Sequence, residues 1–122
     1  YMEFKDLSYL KSHEWVKFDG DIATIGVSDY AQHEMGDVVF VELPEVGDAV
    51  TAGKNFTTIE SVKAVFDINS PVTGTITEVN EELADSPELV NKEAFNAWLV
   101  KVKFTAKASD LLSVDEYKKI CH

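Results

Sequence analysis

Residues 56–68 read FTTIESVKAVFDI, and this stretch decides the fold that we predict for the 122-residue chain. Two runs rich in β-branched and aromatic residues, 56–59 and 65–68, stand on either side of a short break that contains Lys63. Residues of these types favour strands, and a short break between two such runs favours a hairpin. The pattern therefore predicts a β-hairpin whose tip carries Lys63 into solvent.

Other strand-like runs lie on both sides of this hairpin. The runs at 14–18 and 22–27 are separated by an Asp-Gly pair at 19–20, which suits the tight turn of a second hairpin. Pro71 and Gly74 are expected to break the chain before the next strand begins. Further strands are predicted at residues 38–43, 49–50, 75–79 and 98–104.

Serines that are followed within two residues by an acid mark the expected helix starts. Four such starts are Ser28, Ser86, Ser109 and Ser113. Gly36 is expected to end the first helix, because glycine readily adopts the left-handed conformation at a helix end. The last two starts predict a helical extension at about 109–119. The chain is therefore predicted to be a mainly β domain with short helices on its margins.

Composition and charge disfavour several classes of function. The 22 acidic residues outnumber the 11 basic ones, which are all Lys, and the net charge is −11. Nucleic-acid binding is disfavoured because it needs clustered positive charge. No apolar run approaches the roughly 20 residues of a membrane span, so we expect a single soluble domain. Cys121 is the only cysteine, which excludes an internal disulfide and fits a reducing compartment.

Familiar catalytic and metal-binding patterns do not occur in the sequence. It has no G-x-S-x-G, C-x-x-C or H-E-x-x-H arrangement, and His13 and His33 fall on different predicted elements. An enzyme would have to use Lys63 as a covalent nucleophile, which requires burial or a cationic neighbour, whereas Glu60 and Asp67 are acidic. We therefore expect no metal site and no enzymatic activity.

The stretch around Lys63 resembles lipoyl-bearing domains, in which a ligase attaches lipoate to a lysine at a hairpin tip. Glu60, three residues before Lys63, and Gly74, eleven residues after it, stand where those domains commonly keep an acid and a glycine that mark the attachment site. Biotin-bearing domains are similar in fold but usually flank their lysine with methionines, whereas Val62 and Ala64 flank this one. The resemblance favours lipoate on Lys63 over biotin, and over an ordinary exposed turn lysine.

Three separated motifs extend the resemblance to the H-protein family of the glycine cleavage system. The motifs are SHEWV at 12–16, GDVVFVELP at 36–44 and ESVKA at 60–64. The resemblance implies a lipoyl-domain-like barrel-sandwich hybrid of two antiparallel sheets. It also implies one carrier domain over residues 1–122, with a core at about 12–104 and helices at about 109–119.

The same resemblance implies a carrier that is not itself a catalyst. A lipoate ligase or lipoyltransferase would load Lys63. The arm would take the aminomethyl group of glycine from the glycine decarboxylase (P-protein) to the aminomethyltransferase (T-protein), and dihydrolipoyl dehydrogenase (L-protein) would reoxidise it. The hard chemistry then belongs to cofactors and partners. The compartment would be the mitochondrial matrix, which we favour for a eukaryotic source, or otherwise the bacterial cytoplasm.

The resemblance further implies a surface cleft that protects the loaded arm from water. Ser12, Glu14 and Asp67 stand at the positions that line this cleft in the family. Their chemistry is suitable, because a protonated amine binds well to carboxylate and hydroxyl acceptors where water is excluded. His33 is given no role, because its order relative to Glu34 differs from that of many family members.

Two other carriers stay open at this point. One is a lipoyl domain cut from a 2-oxoacid dehydrogenase acyltransferase, although such domains usually continue into a flexible linker and not into helices. The other is an H-like protein that mainly relays lipoate to other enzymes. The loop before Trp98 also departs from the Pro-Tyr pattern that is common in the family.

Overall fold

The computed structural model describes residues 7–120, so the prediction based on Cys121 lies outside the described residues. No helix within them is long and apolar enough to span a membrane. The elements are β1 (Ser8–Tyr9), β2 (Glu14–Asp19), β3 (Ile22–Val27), α1 (Asp29–Met35), β4 (Val38–Val41), β5 (Ala49–Val50), β6 (Asn55–Ser61), β7 (Val65–Asn69), β8 (Val72–Val79), α2 (Glu82–Asp85), α3 (Leu89–Lys92), β9 (Val100–Lys107) and α4 (Val114–Lys118).

The strands form two separate antiparallel sheets. The larger sheet has six strands in the order β1-β2-β3-β9-β8-β5, and the smaller has three in the order β4-β6-β7. Every pairing between named strands is antiparallel. Neither sheet closes on itself, so this is a sandwich and not a closed barrel. The predicted fold class, two antiparallel sheets with short helices, is confirmed.

The core lies between the two sheets. Ile25 on β3, Ile76 on β8 and Val102 on β9 are buried from the larger sheet, while Ile59 and Ile68 are buried from the smaller one. All except Ile25, which is followed by the buried Gly26, alternate along their strands with more exposed neighbours, as expected when one face of a sheet is buried. Burying a side chain of this size contributes about 1.5–3 kcal/mol. This shared core fixes how the two sheets face each other.

The first hairpin and the first helix form as predicted. Asp19 pairs with Ile22, so Gly20, at a φ of +62°, and its neighbour form the two-residue turn. Ser28 caps α1 by accepting the N–H of Ala31 at 3.0 Å, and Gly36, at a φ of +76°, ends it. In both places the sequence signal is local, because it depends on the conformations open to one residue.

The predicted break at Gly74 is wrong. Strand β8 runs through Gly74, with a shift of register against β9 between Thr73 and Gly74. A Cβ at Gly74 would lie 2.2 Å from the carbonyl oxygen of Lys103 on β9. Glycine here permits a close approach of two strands, which is its other common use within a sheet.

Two of the predicted helix starts are also wrong. Ser86 ends α2, and α3 begins only after Glu88. The segment after Ser109 forms a turn, because Leu112 is held in an extended conformation by a β-bridge to Tyr9. Of the two serines expected to begin the C-terminal extension, only Ser113 starts a helix, through a capping box with Glu116. The expected extension at 109–119 is therefore reduced to α4. Strand β9 also begins later than predicted and extends to Lys107.

Replacing Gly74 with Ala should lower the free energy of unfolding by about 2–4 kcal/mol, because the added Cβ would force β8 away from β9. Gly20→Ala is the control, since nothing lies within 4 Å of its Cβ and only its φ of +62° is unfavourable. That change should cost about 1 kcal/mol. Denaturant unfolding of both variants measures the two losses. Equal losses would contradict the explanation by close approach.

Candidate functional site

The tip of the β6–β7 hairpin has a fixed backbone. The N–H of Ser61 donates to the carbonyl of Ala64 at 2.9 Å, and the Ser61 hydroxyl accepts the N–H of Lys63 at 3.1 Å. The N–H of Val62 donates to the carbonyl of Asp37 at 3.0 Å, which ties the tip to the turn before β4. The prediction that a hairpin tip presents Lys63 is confirmed, and its side chain is exposed.

The Lys63 side chain lies along the C-terminal end of α1. Its Nζ donates to the carbonyl of Glu34 at 3.2 Å, and its Cε lies 3.4 Å from where a Cβ on Gly36 would stand. The last carbonyls of a helix carry partial negative charge and attract a cation. A larger residue at position 36 would crowd this path.

A cleft of about 130 Å³ lies beside this end of α1. Its apolar lining comes from Val27, Ala31, Met35, Phe66 and Ile68. Its polar lining comes from Ser12, His13, Glu34 and Asp67. Because the Lys63 Nζ contacts the carbonyl of Glu34, the cleft begins within reach of the lysine.

Glu14 lies beneath the cleft and is fully buried. The Ser12 hydroxyl donates to one of its oxygens, and the N–H of Asn69 donates to the other at 2.7 Å. The Asn69 side-chain amide also donates to the Ser12 hydroxyl, at 3.3 Å. Burial raises the pKa of the Glu14 carboxyl to about 7, against the opposing effect of these hydrogen bonds. The carboxyl therefore keeps its proton to a higher pH than an ordinary glutamate does.

The structure brings together three of the residues named from the sequence. Ser12 and Asp67 line the cleft directly, while Glu14 is not part of the lining and is bonded to Ser12. Glu60 lies outside the cleft, exposed on β6 close to the tip. Gly74 lies in the other sheet, paired with Val50 and Phe104, and is not part of the tip.

Sequence reasoning missed two parts of this region. One is an exposed apolar surface on the smaller sheet and its tip, formed by Val39, Phe40, Val62 and Val65. The unbroken apolar run at 38–41 could have indicated this surface, since a strand with one buried face cannot bury four successive side chains. The other is His13, whose φ of +79° is unusual for a residue other than glycine. No sequence signal indicated it.

The described residues contain no group of three or more His, Cys, Asp or Glu side chains that could hold a metal ion. A second cleft, of about 380 Å³, lies elsewhere, between β5, the start of β6 and Ile76 of β8. What distinguishes the hairpin end of the molecule is therefore an exposed lysine on a fixed tip, next to a partly apolar cleft with acidic side chains.

Known proteins of one family match this chain over nearly its full length. The family model described as "Glycine cleavage H-protein" matches residues 7–122. The glycine cleavage system H protein of Treponema denticola is 58% identical over 121 residues, which cover 98% of this chain and 99% of that one. The mitochondrial H protein 2 of Arabidopsis thaliana is 53% identical over 120 residues, covering 96% and 77% respectively.

A solved structure agrees as well. The crystal structure of a glycine cleavage system H protein from Mycobacterium marinum has a TM-score of 0.90 and 37% identity, and the match covers 96% of this chain and 97% of that one. The fold and the lysine-bearing tip define a carrier domain, which presents a covalently attached group to other proteins. The matches identify the kind of carrier. The chain belongs to the glycine cleavage H-protein family.

Family membership confirms the predicted function. The protein is a lipoyl carrier of glycine cleavage and is not an enzyme. Lipoate, attached covalently to a lysine, is the cofactor of this family. The exposed tip lysine fits such a group, because attachment by another protein requires an accessible amine, and the adjacent cleft has an apolar side that suits a hydrocarbon arm.

The stability of the fold should decrease with rising pH because of Glu14. Its pKa is about 7 in the folded protein and 4.5 in an ordinary setting, so the folded state holds the proton more tightly. Linkage then makes stability fall as the pH rises from about 4.5 through about 7. Between about pH 5 and pH 8, wild type should lose about 2 kcal/mol more than Glu14→Gln.

Denaturant unfolding of both proteins across this range is the measurement. Comparison with Glu14→Gln cancels the contribution of His13, whose pKa is lowered by burial and whose effect on stability therefore has the opposite sign. Parallel curves for the two proteins would show that the Glu14 carboxyl is ionised throughout.

Proposed function

We propose that Lys63 is the lysine that carries lipoate in this protein. The observation that carries the proposal is a hairpin tip with a fixed backbone and an exposed side chain. A fixed attachment point limits the volume that the arm must search, which raises the effective concentration of its end at a docked active site. When bound, lipoate supplies a disulfide that is reduced as the aminomethyl group of glycine is accepted and that is reoxidised later.

The lipoate ligase or lipoyltransferase is proposed to recognise the outer face of the smaller sheet. Glu60 pairs with Phe40 on one side and Val65 on the other, so a carboxylate lies between two exposed apolar side chains. An enzyme that covers this row gains apolar contact and can pair a basic group with Glu60. We assign Gly74 an indirect part in recognition, because it allows β8 and β9 to approach closely and so maintains the fold.

The cleft lined by Ser12 and Asp67 is proposed to protect the loaded arm. Its apolar lining would contact the hydrocarbon chain, and the polar side chains would accept hydrogen bonds from the protonated amine of the cargo. Glu14 would respond through Ser12. Because its pKa is about 7, a nearby cation favours its ionised form, and the two charges then stabilise each other in a partly buried setting.

The partners are proposed from the reactions that a carrier of this family must connect. They are the glycine decarboxylase, the aminomethyltransferase and dihydrolipoyl dehydrogenase, which load, unload and reoxidise the arm in turn. Bacterial relatives such as the Treponema denticola protein favour the bacterial cytoplasm for this chain. For a eukaryotic source, as with the mitochondrial plant relative, we propose the mitochondrial matrix.

A pure lipoate relay is the second candidate, and the cleft weighs against it. A protein that only hands lipoate to other enzymes has no cargo amine to protect, so it has no use for acidic side chains at the edge of an apolar cleft. An aminomethyl carrier does have such a use, because its loaded arm must cross water between enzymes.

Lys63→Arg should abolish attachment of lipoate, because Arg keeps the charge but lacks the primary amine that forms the amide. The measurement is the intact mass of the variant after incubation with a lipoate ligase, lipoate and ATP, which shows whether lipoate has been attached. Lys54→Arg is the control, since Lys54 is also exposed but lies at the other end of the hairpin. Modification of Lys63→Arg, or a biotin mass on wild type in cells, would refute the assignment.

Asp67→Asn and Ser12→Ala should each shorten the lifetime of the loaded arm, by roughly tenfold to a hundredfold for a lost charge-assisted hydrogen bond. Lipoylated protein is loaded with glycine and glycine decarboxylase, and release of the cargo is followed after the decarboxylase is removed. Asp21→Asn is the control, because Asp21 is an exposed acid on the far hairpin. Unchanged lifetimes would reject the cleft, and wild type that cannot be loaded would indicate a relay.

A further inference from the structure

Helix α4 contributes one side chain, Tyr117, that is fully buried and bonded to two separate parts of the fold. Its ring stacks on Tyr9 of β1, with centroids 4.2 Å apart and planes 4° from parallel. Its hydroxyl lies 2.5 Å from the Ser28 hydroxyl and 2.8 Å from Nδ1 of His13. The stacking explains why the ring is buried, whereas the two hydrogen bonds concern the hydroxyl alone.

The two partners of this hydroxyl belong to two different segments that contribute to the cleft lining. Ser28 is the N-cap of α1, the helix that supplies Ala31, Glu34 and Met35 to the cleft. His13 contributes to the lining from the segment before β2, next to Ser12. The Tyr117 oxygen therefore connects the N-cap of α1 to the His13 side chain, in addition to the backbone hydrogen bond between Ser28 and His13.

His13 needs such a connection because its backbone is in an unfavourable conformation. Its φ of +79° belongs to the left-handed region, which residues with a Cβ seldom adopt unless their surroundings hold them there. Its N–H donates to the carbonyl of Leu10 and its carbonyl accepts the N–H of Ser28, both at 2.9 Å. Its ring lies 4.8 Å from that of Tyr30 and is fixed at Nδ1 by Tyr117.

The hydrogen bonds can be satisfied in one continuous chain. The N–H of Ala31 donates to the Ser28 hydroxyl, which can donate to the Tyr117 hydroxyl, which can donate to Nδ1 of His13. This order requires neutral imidazole with an unprotonated Nδ1. Burial lowers the pKa of His13, which favours the neutral ring near neutral pH. Each buried hydroxyl in the chain then has both a donor and an acceptor.

We propose that the Tyr117 hydroxyl is a positioning group that fixes the His13 side chain relative to α1 in the lining of the arm cleft. The C-terminal helix α4 thereby contributes to protection of the loaded arm, although the described contacts of Tyr117 place it behind the cleft walls and not in their lining. The inference rests on the proposed function of the cleft. It assigns Tyr117 no contact with the arm, since it acts through His13 and Ser28.

Tyr117→Phe in the lipoylated full-length protein tests the proposal, because Phe keeps the ring that stacks on Tyr9. The lifetime of the loaded arm should fall about fivefold, as expected for loss of one net hydrogen bond. The rate of lipoate attachment to Lys63 should not change, because that step uses the exposed tip. The nitrogen chemical shifts of the His13 ring should also change, which a role limited to packing would not produce.

Val114→Ala is the matched control. Val114 is buried in α4 within the same aromatic cluster, so its truncation should destabilise the helix while leaving the Tyr117 hydroxyl in place. The thermal midpoint should fall as much as in Tyr117→Phe or more, and the arm lifetime should stay close to that of wild type. A Val114→Ala lifetime as short as that of Tyr117→Phe would overturn the positioning role.

The outcomes separate failure of this inference from failure of the cleft itself. If Asp67→Asn shortens the arm lifetime and Tyr117→Phe does not, the cleft stands and the role of Tyr117 is refuted. If wild type releases its cargo as fast as Asp67→Asn and Ser12→Ala, the cleft gives no protection, and the role of Tyr117 fails with it.

Discussion

The arrangement of the cleft end of the molecule depends on one buried carboxyl that joins the two sheets. Glu14 begins β2 in the larger sheet, and it accepts the N–H of Asn69, which ends β7 in the smaller one. A buried carboxyl without partners would be very unfavourable, so this bond and that of Ser12 hold the sheet ends in one arrangement. The cleft lies next to this junction, because Ser12 and His13 before Glu14, and Ile68 before Asn69, belong to its lining.

A protein that carries a covalently attached group needs a fixed base, where the group is attached, and a mobile end that reaches the active sites of other proteins. The tip around Lys63 meets the first requirement by using the Ser61 hydroxyl and the Asp37 carbonyl to satisfy backbone N–H groups that a free turn would leave to water. The exposed lysine side chain suits the second requirement, and the lipoyl arm that we propose on Lys63 would extend it. Because the base belongs to an antiparallel pair of strands, docking of a partner on the smaller sheet would also place that arm.

The parts that could be predicted from the sequence are those governed by local chemistry. The two hairpins follow from strand-forming runs around short breaks, and α1 follows from a serine cap and a terminal glycine. The position of Gly74 could not be found in this way, because its reason is the distant Lys103 carbonyl. Likewise, Ser109 has the local pattern of a helix start, but pairing of Leu112 with Tyr9 prevails. Burial of Glu14 behind Ser12, and the contact of Tyr117 with His13, depend on sheet packing that no single segment encodes.

The exposed apolar surface favours self-association, and the net charge of the chain opposes it. Strand β4 is an edge of the smaller sheet and carries Val39 and Phe40 with about half of their surface exposed, so it invites pairing with another copy. A net charge of −11 makes two copies repel each other at physiological ionic strength, where the screening length is about 8 Å. A partner with a basic surface is attracted to the chain by the same charge. The negative charge thus disfavours contact between two copies and favours contact with a basic partner. Concentrated salt would screen this charge before it affected the fold.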